Sequence, residues 1–103
     1  MNAQIFKEIQ DLKRQILPNE KVVLFGSQAR GEAREDSDWD LLVLLNKDKV
    51  NFNEDYTKYA HPFYDISLKY GTHISVIFDT RKDWDTYPSL LKYNVEREGI
   101  EIV

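Results

Sequence analysis

The chain contains no cysteine, so thiolate metal sites, disulfides and cysteine nucleophiles are excluded. Any bound metal must be held by Asp, Glu, His or backbone oxygen. There is no long apolar run either: the longest, residues 41–45, falls far short of the roughly 20 residues a membrane-spanning helix needs. Residues 1–4 lead into a charged pattern rather than a signal peptide, and a cytoplasmic location is the expectation. Excess basic charge is also missing. With 14 Lys and Arg against 18 Asp and Glu, the net charge of −4 weighs against a long nucleic acid as partner, because that affinity comes largely from cations neutralising phosphates. No repeat, low-complexity tract or linker divides the 103 residues, which are read as a single domain, 1–103. What remains is the composition of a folded protein, 42% hydrophobic and 31% charged, with one modest core.

Apolar spacing gives the elements. Ile5, Ile9, Leu12 and Ile16 recur at helical period, and Pro18 closes that helix. Residues 22–25 form a short apolar run ending at Gly26, which reads as a central strand followed by a turn. Ser27 is placed to cap one helical turn before Gly31, and residues 32–37 form a polar loop. Residues 38–45 make a second strand, acidic at its mouth and then apolar on both faces. From 53 to 70 a helical stripe of Tyr56, Tyr59, Phe63, Ile66 and Tyr70 runs across Pro62, which predicts a kink, and Gly71 ends it. Residues 73–78 alternate as a third strand. Residues 84–98 predict one last helix through Tyr87, Leu90, Leu91 and Val95, and residues 100–103 a short final strand. The fold class is α/β (α+β), a small mixed sheet of about four strands flanked by helices.

The chemistry concentrates in two neighbouring stretches. Asp38 and Asp40 are two residues apart on a strand, so both carboxylates project to one face and offer hard oxygen suited to Mg²⁺. Just upstream, Gly26 lets the backbone approach a ligand closely, Ser27 adds a hydroxyl, and the N–H groups that follow favour an anion. Arg30 adds positive charge, or pairs on the surface with Glu32 or Glu35. A phosphate-sized turn beside two carboxylates points to a nucleoside triphosphate and metal. Paired divalent ions, about 3.5–4 Å apart, activate an attacking oxygen and neutralise a leaving pyrophosphate.

Gly26-Ser27-x-Ala29-Arg30-Gly31 followed by Ser37-Asp38-x-Asp40 resembles the signature of the DNA polymerase beta-like nucleotidyltransferase superfamily. The likeness is specifically to the minimal nucleotidyltransferases often encoded beside HEPN-domain proteins. Its core covers residues 24–43, and the remaining elements fit in length and order, including the Arg97-Glu98-Gly99-Ile100 ending. The resemblance implies a nucleotidyltransferase fold and transfer of a nucleoside monophosphate, AMP from ATP, with two Mg²⁺ ions held by Asp38 and Asp40. It also implies a third carboxylate on a later strand, and here the chain departs: Ser75 stands in that place, neutral and a poor ligand. Asp79 lies about 13 Å further along the strand, too far to substitute, while Asp65 or a partner's carboxylate remain open as sources.

The family context makes a HEPN-type toxin the expected partner, with this chain as antitoxin; a second copy of the chain is the other candidate to complete the pocket. A module that has lost transfer and neutralises its partner by contact is the alternative that Ser75 motivates. An antibiotic-type small-molecule transferase is a third reading, disfavoured because such enzymes usually carry an additional helical domain. His73 reads first as a partly exposed polar residue and Trp39 as core, facing away from the carboxylates.

Overall fold

The computed structural model describes residues 1–32 and 37–103, so most of the polar loop expected over 32–37 lies outside the described residues. Asn2 opens the first helix, α1 (Ala3–Ile16), its side chain accepting from the Gln4 and Ile5 amides at 2.9 and 3.2 Å. The chain then forms β1 (Lys21–Phe25), a four-residue helical turn α2 (Ser27–Arg30) and β2 (Trp39–Leu45). Helix α3 (Phe52–Asp55), a π-type stretch Tyr56–Ala60 and α4 (His61–Tyr70) follow one another without a break. After them come β3 (Ile74–Thr80), α5 (Arg81–Thr86), α6 (Leu90–Glu98) and β4 (Ile100–Ile102).

The strands form one mixed sheet in the order β3-β2-β1-β4, with β2 and β3 parallel and the other pairs antiparallel. Strand alternation divides the core in two. Trp39, Leu41, Val43 and Leu45 point to the face covered by α1 and α4, where they meet Ile9, Phe63, Val76 and Ile102. Leu42 and Leu44 point to the other face, against Val23, Trp84 and Val95 from the α5–α6 side. Asp40 alternates with Trp39 and so stands on this second, more thinly covered face. A buried Leu→Ala or Phe→Ala change in the larger cluster costs about 2–5 kcal/mol.

Three expectations need correction. The last helix is two, because Pro88 holds the preceding Tyr87 extended and cannot donate to a helix ladder. Ser89 caps the new start, accepting from the Lys92 amide at 2.9 Å. Tyr87 and Leu90, expected on a buried stripe, are therefore 65% and 76% exposed. Second, the capping position of α2 falls on Gly26 rather than Ser27, which is already helical. Third, the kink expected at Pro62 takes the form of a π turn just before it, in which the His61 amide donates to the Tyr56 carbonyl. The longer ring absorbs the missing proline donor, so the helix continues.

Candidate active site

Asp38 and Asp40 sit at the mouth of β2, where the chain leaving β1 bends through Gly26. The antiparallel register sets Asp40 opposite Phe25, the last residue of β1, so the carboxylate faces the bend. Gly26 adopts φ +77°, and a Cβ built there would lie 2.4 Å from the Asp40 Oδ2. Only glycine provides both this backbone angle and this clearance. The first amides of α2 have no partner within the helix and directly follow this bend in the chain. The glycine-serine turn and the acidic pair are thus brought together, as the sequence spacing implies.

Asp38 precedes the strand and is about 60% exposed, with its Oδ1 3.6 Å from Nδ1 of His73. Its backbone is tied down on both sides: the Trp39 amide donates to the His73 carbonyl at 2.8 Å, and Gln28 Nε2 donates to the Ser37 carbonyl at 3.1 Å. Asp40 is half-buried, and burial pushes its carboxyl above the usual carboxylate range. The negative charge of Asp38 pushes the same way, while His73 and Arg30 oppose. Two acidic groups that repel each other, one of them partly desolvated, form a donor set suited to a hard cation. Among the described residues no group of three or more His, Asp or Glu forms a candidate metal cluster.

Ser75 lies directly beside Asp40 in the parallel β2–β3 register, on the same face of the sheet. Asp79, at the other end of β3, accepts from the Thr80 amide at 2.8 Å. Asp65 is exposed on α4, the helix that packs on the opposite face. Neither stands beside the acidic pair.

Arg30 is held by two carboxylates, Glu32 at 3.1 Å and Glu98 at 3.0 Å, and these bonds raise its pKa further. The pairing with Glu32 was one of the sequence alternatives; Glu35 lies outside the described residues. Glu98, mostly buried at the end of α6, was missed, because nothing local connects residues so far apart in the chain. Gln28 was missed as well. It occupies the variable place between Ser27 and Ala29, yet it is only 3% exposed and grips the segment that delivers Asp38.

A mixed sheet with a glycine turn facing an Asp-x-Asp strand is consistent with the nucleotidyltransferase fold. The nucleotidyltransferase-domain family matches residues 3–101, and the chain belongs to that family. Among solved structures, a toxin–antitoxin complexed with AMP-PNP superposes with a TM-score of 0.67 at 18% identity, covering 95% of this chain and 72% of that one. A minimal nucleotidyltransferase gives 0.62 at 25% identity, covering 97% and 95%. A variant of the toxin–antitoxin MntA-HpeT gives 0.64 at 18%, covering 100% and 72%. No curated protein sequence matches. Among the described residues no helix is long and apolar enough to cross a membrane.

Proposed function

We propose that this protein transfers AMP from ATP to a hydroxyl group on a partner protein, as the antitoxin of a toxin–antitoxin pair whose toxin is a HEPN-domain protein. The close approach of Gly26 to Asp40 carries this reading, because it seats the glycine turn and its free amides against the acidic pair, an approach that a side chain at Gly26 would block. Asp38 and Asp40 are the residues that would hold Mg²⁺, two ions in the family pattern. Bound there, the metal supplies charge neutralisation and activation of the attacking oxygen. The chain's own part is to orient. The Gly26-Ser27 turn and the α2 amides hold the terminal phosphates, and Arg30 contributes positive charge from its place beside Glu98.

A second reading is favoured by one observation, the serine beside Asp40 where a third carboxylate would stand. In that reading the protein binds nucleotide and silences its partner by contact alone. Incubating the protein with Mg²⁺, labelled ATP and the co-purifying partner, followed by intact mass, separates the two. One added AMP on the partner, lost in Asp40→Asn, is the expected result. A stable complex with no mass change supports the binding module. If Asp40→Asn retains transfer within tenfold, a barrier change of less than about 1.4 kcal/mol, Asp40 is not a metal-holding catalytic group.

A further inference from the structure

Strand β3 enters the sheet beside the acidic pair. In the parallel β2–β3 register Trp39 pairs with Ile74 and Asp40 with Ser75, so the residues one step earlier, Asp38 and His73, meet at the mouth of the two strands. The Trp39 amide donates to the His73 carbonyl at 2.8 Å and ties the two backbones together there. Trp39 and Ile74 are buried in the core on the α1–α4 side. By alternation Asp38, Asp40, His73 and Ser75 face the other way, in two neighbouring rows. Ser75 is neutral, and His73 brings an imidazole nitrogen.

The two carboxylates have different neighbours. Asp40 sets its Oδ2 against Gly26, toward β1. Asp38 stands toward β3, its Oδ1 3.6 Å from Nδ1 of His73. That separation is too long for a hydrogen bond. It is instead the spacing of two donor atoms on one ion, since donors about 2.1 Å from a metal, at angles of about 90–120°, lie about 3.0–3.6 Å apart. The His73 and Asp38 side chains are 62% and 60% exposed, so an ion and its waters have room. The donor chemistry agrees. Mg²⁺ takes hard oxygen, and Ser75 occupies the place beside Asp40 where a further carboxylate would supply it. Imidazole nitrogen is a borderline donor that suits first-row transition ions, whose affinity for mixed nitrogen and oxygen sites rises from Mn²⁺ to Co²⁺.

We propose that His73 is a metal ligand: with Asp38 it holds one divalent ion through an imidazole nitrogen and a carboxylate oxygen, and so makes the site prefer a transition ion to Mg²⁺. This rests on the nucleotidyl-transfer reading above and names the class of ion that the site takes. Two protein donors are fewer than a closed metal cluster has, in keeping with the described residues. The remaining positions fall to water and to phosphate oxygens, so the ion is bound together with the nucleotide.

The chain has only two histidines, which makes the ligand assignable. The probe is Mn²⁺ with ATP whose nitrogens are all the heavy isotope, so that any ordinary nitrogen bound to the ion, read by pulsed electron paramagnetic resonance, belongs to the protein. Coupling to ordinary nitrogen is expected in the wild type and in His61→Asn, and is lost in His73→Asn. Calorimetric titration of Co–ATP and Mg–ATP reads the preference. His73→Asp, which returns a hard oxygen to the site, is expected to move the ratio of the two affinities toward Mg²⁺ by at least about tenfold. An unchanged ratio overturns the ion preference. Mn–ATP that binds without the coupling, with a coupling that His61→Asn removes, or with one that survives in His73→Asn overturns the ligand and leaves nucleotide binding standing. A wild type to which Mn–ATP, Co–ATP and Mg–ATP all fail to bind overturns the nucleotidyl-transfer reading, and the ligand with it.

Discussion

Gly26 is the residue on which the proposed chemistry and the local backbone depend together. Replacing it with alanine forces an L-residue to φ +77° and drives a methyl group into the Asp40 carboxylate. The backbone penalty is about 1–2 kcal/mol, and displacing a catalytic group by about an ångström costs on the order of a hundredfold in rate. Gly26→Ala is therefore expected to lose at least that factor in AMP transfer while remaining folded by circular dichroism. Asp40 predicts the opposite balance. Its folded carboxyl is raised by burial and by Asp38, so ionisation at neutral pH works against the metal-free fold. Asp40→Asn is expected to melt higher than wild type at pH 7 without Mg²⁺, while losing transfer. A lower melting temperature would mean that the carboxylate is held by attractive contacts rather than strained by repulsion. Both residues were legible in the sequence, one as the end of a strand and the other as the mouth of the next; that they face each other is set by the β1–β2 register.

Among the elements, α1 and α4 are tied on their outer surface by Glu8, which accepts from Tyr70 and from Lys69. The Tyr70 hydroxyl is the larger cause, and with Lys69 it holds the Glu8 carboxyl below its ordinary value of 4.5. A carboxyl depressed in the folded state contributes stability above its unfolded pKa and loses it as the pH falls through the folded one. The stability gap between wild type and Glu8→Gln should thus be full near pH 7 and shrink as the pH drops below about 4, which thermal melts across that range would read directly. A gap independent of pH would assign the contact to packing instead. The helices were also where sequence reading failed. Apolar period joined residues 84–98 into one helix, but the period does not register that Pro88 has no amide to donate, and two capped helices result. The π turn before Pro62 escaped for a related reason: hydrogen-bond ring size leaves the apolar spacing almost unchanged.

For the molecule as a whole, the proposed site lies where two strand ends meet, and a ligand held there ties the sheet to α2. A ligand that binds only the folded state stabilises it, by about 2.7 kcal/mol at a hundredfold excess over Kd. For a domain of this size that is a rise in melting temperature on the order of 10 °C. Mg–ATP is expected to produce such a rise, which neither component gives alone and which Asp40→Asn abolishes. A melting temperature unmoved at millimolar Mg–ATP would remove nucleotide from the account.

The sequence by itself determined the acidic pair, the glycine bend before it and the alternation that buries Trp39, because these follow from a backbone period running over a few residues. Only the tertiary structure decided that Ser75 stands beside Asp40, that His73 approaches Asp38 and that Glu98 reaches Arg30. Those neighbours come from strand register and helix packing between segments distant in the chain. Such distances are closed by the summed burial of the core, and no local pattern of residues encodes them.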